Sequence, residues 1–131
     1  MNRMRSWRAI NRGACSSAAL LGTLFVSGCR QAEARTVEGG DPDRGAAAIQ
    51  QYGCGSCHMI PGITGAHGKV GPPLDDWSER VYIAGQVPNT TDFLIRWIEM
   101  PQAIEPRTAM PNLRVTEGEA RDIAAYLYTL R

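Results

Sequence analysis

The 131-residue sequence predicts an all-α domain of three main helices with long loops between them. Three observations carry this. Apolar residues recur at helical spacing in three separate segments. No segment shows the alternation of a half-buried strand. Between the helices the chain is rich in Gly and Pro, from Pro61 to Pro73 and from Pro101 to Asn112. Such loops are unusual in a compact domain and suggest wrapping around something.

Residues 1–28 read as a leader. Arg3, Arg5, Arg8 and Arg12 form a basic start without an acidic residue, and an apolar stretch follows from Ala18 to Val26. That stretch is too short to span a bilayer, which takes about 20 residues. The absence of an adjacent Arg pair makes the general secretory route the default. The stretch ends in Val26-Ser27-Gly28-Cys29, which resembles the lipobox of bacterial lipoprotein signal peptides. The resemblance implies cleavage before Cys29 and lipidation of its thiol. In an ordinary signal peptide, or an uncleaved anchor, Cys29 would be incidental. Residues 29–40 then read as the lipidated Cys and a flexible tether. Gln31 to Gly40 is polar and small, and ten such residues reach roughly 35 Å when extended.

Residues 41–131 form the domain, near the lower size limit for an independent core. Asp41 is the N-cap of the first helix and Pro42 its first residue, where the missing N–H costs nothing. Ala46, Ala47, Ile49 and Tyr52 carry it to Gly53. The second helix opens at Thr90, has Leu94, Trp97 and Ile98 on one face, and ends at Pro101. Thr116 and Glu119 form a capping box at the head of the third. Its apolar stripe, Ala120, Ile123, Ala124, Leu127 and Leu130, runs to the end of the chain.

The chain has 14 basic and 13 acidic residues. Four of the basic ones precede Cys29, which leaves 10 against 13 and a net charge of −3 in the exported form. Lys69 is the single lysine. There is no basic patch for nucleic acid or for an anionic membrane surface.

Cys54-Gly55-Ser56-Cys57-His58 carries the chemistry. C-x-x-C-H is the attachment signature of a c-type haem. Two thiols at that spacing can each form a thioether to a haem vinyl group, and the next residue, His58, is then placed to ligate the iron. A thioredoxin-like redox pair or half of a zinc site are the alternatives. The first would need a βαβ pattern, and the second two further ligands; the sequence offers neither. Cys15 leaves with the leader and Cys29 takes lipid, so no cysteine is left for a disulfide.

Methionine opposite histidine is the pairing that raises the potential of electron-carrying cytochromes c. Met110, in the loop Arg107-Thr108-Ala109-Met110-Pro111, is the predicted second ligand. Met59 adjoins His58 and cannot reach the opposite face, and Met100 reads as a packing residue at the end of a helix. His67 is the runner-up ligand, although a solvated loop histidine explains it as well. A ligating His donates its other ring N–H to an acceptor, and the Gly71-Pro72-Pro73-Leu74 turn could present the Pro72 carbonyl. Trp97 could bond a haem propionate through its indole N–H, or be core. Arg80 reads first as a solvated arginine, with a propionate partnership as the alternative.

Taken together these residues resemble class I cytochromes c. The resemblance covers Asp43 to the C-terminus, through Gly45, Cys54-x-x-Cys57-His58, Gly71-Pro72-x-Leu74, Thr108-Ala109-Met110-Pro111 and Ala125-Tyr126-Leu127. It implies that Gly45 and Tyr126 mark the crossing of the first and last helices. Residues 80–113, with Ile83-Ala84-Gly85, Pro88-Asn89-Thr90, Trp97-Ile98, Pro101-Gln102-Ala103-Ile104 and Pro106, are similar to the cytochrome c domain of caa3-type oxidase subunit II. That family's domain passes electrons to a nearby copper centre. This chain has no membrane hairpin or cupredoxin domain, so it is not expected to be a subunit II. Glu105 stands where a basic residue is expected.

The expected protein is a mono-haem c electron carrier, not an enzyme, lipid-anchored on the periplasmic side of a bacterial membrane. Its expected partners are a quinol-oxidising complex or dehydrogenase upstream and an oxidase downstream. A permanent haem subunit of a periplasmic dehydrogenase or reductase is the second reading. A haem sensor with an open sixth position is the third.

Overall fold

The computed structural model of the chain describes residues 35–131. Residues 1–34 lie outside the described residues, and with them the expected leader, lipobox and lipidated Cys29.

Helix α1 spans Pro42–Gln51. Asp41 caps it by accepting from the amides of Asp43 at 2.9 Å and Arg44 at 3.1 Å. Helix α2 spans Thr91–Glu99 behind Thr90. Helix α3 spans Glu117–Leu127 and starts with the full reciprocal capping box of Thr116 and Glu119. The expected stripe to Leu130 is cut short. The chain tightens after Leu127, with Leu130 N–H donating to Leu127 at 3.0 Å. The Leu130 carbonyl then accepts from both the amide and the hydroxyl of Ser78, which ties down the end of the chain.

A two-residue antiparallel hairpin was not expected. Strand β1, Tyr82–Ile83, pairs with β2, Val87–Pro88, in the register Tyr82 to Pro88 and Ile83 to Val87. Strands this short show no alternation in a sequence. The turn between them is made by Ala84 and Gly85, both at positive φ (50° and 69°), the geometry that matches strand twist in tight hairpins. Among the described residues no helix is long and apolar enough to cross a membrane.

The helices α1 and α2 both pack on α3. Ile49, Leu94, Ile98, Ala120, Ala124 and Leu127 are buried in the common core. From residue 35 onward the expected 29–40 tether is packed on the domain. Val37 is buried, and Gly40 lies against the backbone of Arg121 and the methyl of Ala125. Arg35 donates to the Asn89 carbonyl at 2.7 Å and lies over the Tyr128 ring. One valine in a polar run leaves no period to read, so the packed segment has no signature in the sequence.

The crossing of α1 and α3 also holds a buried carboxylate. Asp122, only 8% exposed, accepts from the Asp41 amide at 2.8 Å and from two nitrogens of Arg44 at 2.8 and 3.0 Å. The Arg44 bonds, with help from the Asp41 amide, hold the Asp122 carboxyl below its usual range against the opposing effect of burial. Arg44 is 63% exposed, so its ion pair is screened and adds less to stability than its hold on the carboxyl suggests. Because the native state makes Asp122 more acidic than the unfolded chain does, its stabilisation is complete above a pH of about 3.9. It is lost as pH falls through the lower native value. Asp122→Asn is expected to lower stability by about 1–2 kcal/mol at pH 7. In urea titrations the gap to the wild type should close toward pH 2. A gap that stays constant with pH would show that the charge of Asp122 does not contribute.

Candidate functional site

The C-x-x-C-H segment follows α1 at once. Gly53, at φ 67°, closes the helix, and Cys54–Ser56 forms one 3-10 turn. The amides of Cys57 and His58 both donate to the Cys54 carbonyl, at 3.2 and 3.0 Å. This coil sets the two thiols one tight turn apart, with His58 next in line. Both thiols are free and half-buried. Burial pushes the Cys54 thiol up from its usual value. Among the described residues no three side chains of His, Cys, Asp or Glu gather into a metal cluster. The half-site of Cys54 and Cys57 therefore gains no zinc ligands there.

The loop over residues 60–74 wraps this turn with backbone bonds. Gly68 N–H donates to Gly55, Gly71 N–H to Cys57 at 2.8 Å, and Leu74 N–H to Met59 at 2.8 Å. The wrapping brings His58 and Pro72 together. Nδ1 of His58 lies 2.7 Å from the Pro72 carbonyl oxygen. A carbonyl only accepts, so Nδ1 carries the proton and Nε2 keeps its lone pair for a metal. Gly71 lies against the same imidazole, where a side chain would collide with the ring.

Met110 is half-buried and packs, like Cys54, against the cluster that contains Trp97. Its loop is held at both backbone groups. The amide donates to the Thr108 hydroxyl at 3.2 Å, and the carbonyl accepts from Gln102 at 2.8 Å. Met100 is 49% exposed at the end of α2, and Met59 and His67 are exposed partners in an isolated bridge. Trp97 is buried on α2. Tyr126, on α3, reaches across to donate to the Pro61 carbonyl at 2.6 Å, so the crossing of α1 and α3 is bonded directly to the site loop.

Sequence reasoning passed over Trp77 and missed Asn89. Among the described residues the Trp77 indole nitrogen is the buried side-chain polar atom without a hydrogen-bond partner. Arg80, expected to be solvated, donates through Nη2 to the carbonyls of Pro73 and Asp75 and lies over the Trp77 ring. Buried Asn89 ties this turn together. Its amide group donates to Trp77 and Arg80, at 3.1 and 3.0 Å, and its oxygen accepts from Tyr128 at 2.9 Å. The Pro88-Asn89-Thr90 resemblance includes Asn89 and carries no sign of its burial.

The residues present fit a covalently attached haem. There are two free thiols, an imidazole with a fixed tautomer, a glycine cradle beside that imidazole, and a buried donor lacking an acceptor.

Comparison with known proteins agrees. Residues 42–131 match the family model described as cytochrome c. Over 90 residues the chain is 29% identical to cytochrome c oxidase subunit 2 of Alkalihalophilus pseudofirmus. That match covers 68% of this chain and 25% of the relative, so the chain spans about a quarter of that protein's length. The fold matches cytochrome c2 from Rhodobacter sphaeroides with a TM-score of 0.50 at 21% identity, over 70% of this chain and 96% of that one.

Proposed function

The chain belongs to the cytochrome c family, as an electron-transfer protein with one covalently attached haem c, and from that premise we propose that it is a membrane-tethered periplasmic carrier passing single electrons in a respiratory chain, with a terminal oxidase as acceptor. The observation that carries the electron-transfer site is the 2.7 Å bond from His58 to Pro72, which leaves Nε2 free and aimed by a fixed ring. The haem, when bound, supplies one-electron chemistry at its iron. Cys54 and Cys57 would hold it covalently, and His58 and Met110 would supply the axial ligands. Leader, lipobox and Cys29 support the tether and the compartment. The relative named as an oxidase subunit 2 supports the acceptor. A tether replaces long-range steering with high local concentration, which suits a surface with a single lysine.

The second reading, a permanent haem subunit of a periplasmic dehydrogenase or reductase, draws on exposed apolar side chains. Val70 is 81% exposed, and Val81 and Tyr82, consecutive in the chain, are 68% and 60% exposed. Co-purification with an enzyme at fixed ratio would favour it.

The first test is the absorption spectrum of the holoprotein, oxidised and reduced, with and without carbon monoxide. The expected result is a thioether-to-ferric-iron band and no shift with carbon monoxide. Met110→Ala is expected to lose the band and bind carbon monoxide. Ready binding by the wild type would replace the carrier with a ligand-binding haem protein.

A further inference from the structure

Met59 and His67 are left over by the haem reading. Each taken alone is an ordinary exposed side chain. The fold makes them a pair. They are partners in an isolated antiparallel bridge that closes the loop over residues 60–66. The Ile60 amide donates to the Ala66 carbonyl at 3.1 Å, one step inside the bridge. Met59 and His67 are therefore a pair that exchanges no hydrogen bonds of its own. In such a pair the Cα atoms lie about 4.5 Å apart and the side chains leave on one face.

The base beneath the pair is rigid. Ile60, Ile63 and Ala66 are 2%, 6% and 1% exposed, so the loop between the partners is anchored in the core. Gly68, next to His67, donates to the Gly55 carbonyl at 3.0 Å, and the His67 amide donates to Gly65 at 3.0 Å. The side chains themselves stay accessible. Met59 is 39% exposed, and His67 is exposed. Neither the thioether nor the imidazole has a hydrogen-bond partner among the described residues. Both residues line one cleft of about 370 Å³.

The donor set decides what the cleft takes. A thioether is a soft, uncharged ligand, and beside an imidazole it selects Cu(I). No carboxylate lines the cleft, so a doubly charged ion finds no compensating charge there. An ion held between nitrogen and sulfur, with bonds of about 2.0 and 2.3 Å as zinc makes to such atoms, spans roughly 4 Å. The bridge supplies that spacing, and the rotatable bonds of Met59 take up the remainder.

We propose that Met59 and His67 form a surface site for one cuprous ion, separate from the haem and independent of which protein accepts its electrons. Copper stays cuprous throughout, and no electron moves. Two protein donors leave the other coordination positions open. A ligand from a second molecule can enter there, so the site suits an ion that is handed on.

The test uses the full-length holoprotein with its methionine methyl groups labelled with 13C. It is reduced with ascorbate under argon, so that the haem is ferrous, and dialysed against Cu(I) kept in solution by acetonitrile. The expected result is one copper per haem and a shift of one methyl signal, the one that Met59→Leu removes. Met59→Leu and His67→Gln should each lose the ion at the same free copper concentration and keep the haem absorption spectrum. Met100→Leu, which removes another exposed methionine, should retain it. Zn(II) at the same concentration should not bind. Copper no higher than the dialysis background would overturn the proposal. So would copper retained in full by either Met59→Leu or His67→Gln, or Zn(II) bound as well as Cu(I).

Discussion

Gly71→Ala is expected to displace the imidazole of His58, the proposed axial ligand, and cost the holoprotein about 3 kcal/mol. A β-carbon at position 71 would lie 2.6 Å from Nδ1 and 2.9 Å from Nε2 of His58, and nearer still to Cε1. Non-bonded heavy atoms prefer about 3.5–4 Å, so something must move by roughly 1 Å. The backbone of Gly71 cannot easily withdraw. Its amide is bonded to Cys57 at 2.8 Å, and Pro72 after it has a fixed φ. The His58 backbone is pinned to Cys54 at 3.0 Å. The imidazole is the part that yields, and it loses the Pro72 bond that fixes its tautomer. Overpacking of this kind costs about 1–3 kcal/mol, and the lost hydrogen bond about 1 more. Two measurements check this: the visible spectrum of the variant, which should show a weakened or exchanged proximal ligand, and its urea midpoint. Pro72→Ala is the useful contrast. The acceptor is a backbone carbonyl, so that variant keeps the bond and should be mild. A Gly71→Ala holoprotein with wild-type spectrum and midpoint would mean that His58 is not seated against the loop.

What the sequence made legible is what its local grammar encodes. The capping box of Thr116 and Glu119 needs only four residues, and it is present in full. Asp41 and Pro42 start α1 as read, and the five-residue motif stands in one tight turn directly after that helix. Pro72 was within reach because its turn lies just after the motif, and a ligating histidine needs an acceptor. The rest depends on residues far apart in the chain. Asp122 meets Arg44 across 78 positions, and Tyr128 meets Asn89 across 39. A carboxylate inside an apolar stripe reads as an irregularity until its partner is placed. The contrast between Trp77 and Trp97 is of the same kind. Both are indoles among apolar neighbours, and only the packed structure shows which N–H lacks an acceptor. The hairpin at residues 82–88 escaped because strands of two residues have no period.

Gly45→Ala is expected to destabilise the protein by about 3 kcal/mol or more, against the sign that helix propensity alone would give. In an isolated helix the change stabilises, by about 1 kcal/mol, because alanine gives up less backbone freedom. Here α1 crosses α3 at Gly45. An added β-carbon would collide with the carbonyl oxygen of Asp122 and meet the Tyr126 β-carbon at 3.0 Å. The first obstacle is the backbone of α3, which has no rotamer to change. The helices must therefore separate, and three links across the crossing are strained together, Asp41 to Asp122, Arg44 to Asp122 and Tyr52 to Glu119 at 2.7 Å, along with the bond from Tyr126 on α3 to Pro61 in the site loop at 2.6 Å. Overpacking costs about 1–3 kcal/mol and occasionally more, and here it adds to the loss of bonded contacts. Against a total of about 5–15 kcal/mol this is a large share. The urea midpoint should fall with its slope unchanged. Ala47→Gly, on the exposed face of the same helix, supplies the propensity term alone and should cost about 1 kcal/mol. If Gly45→Ala instead stabilised the protein by a similar amount, propensity would be the whole effect and α1 could not lie against α3 at this position. Since the C-x-x-C-H turn begins where α1 ends, the haem site would then lack the foundation that the crossing provides.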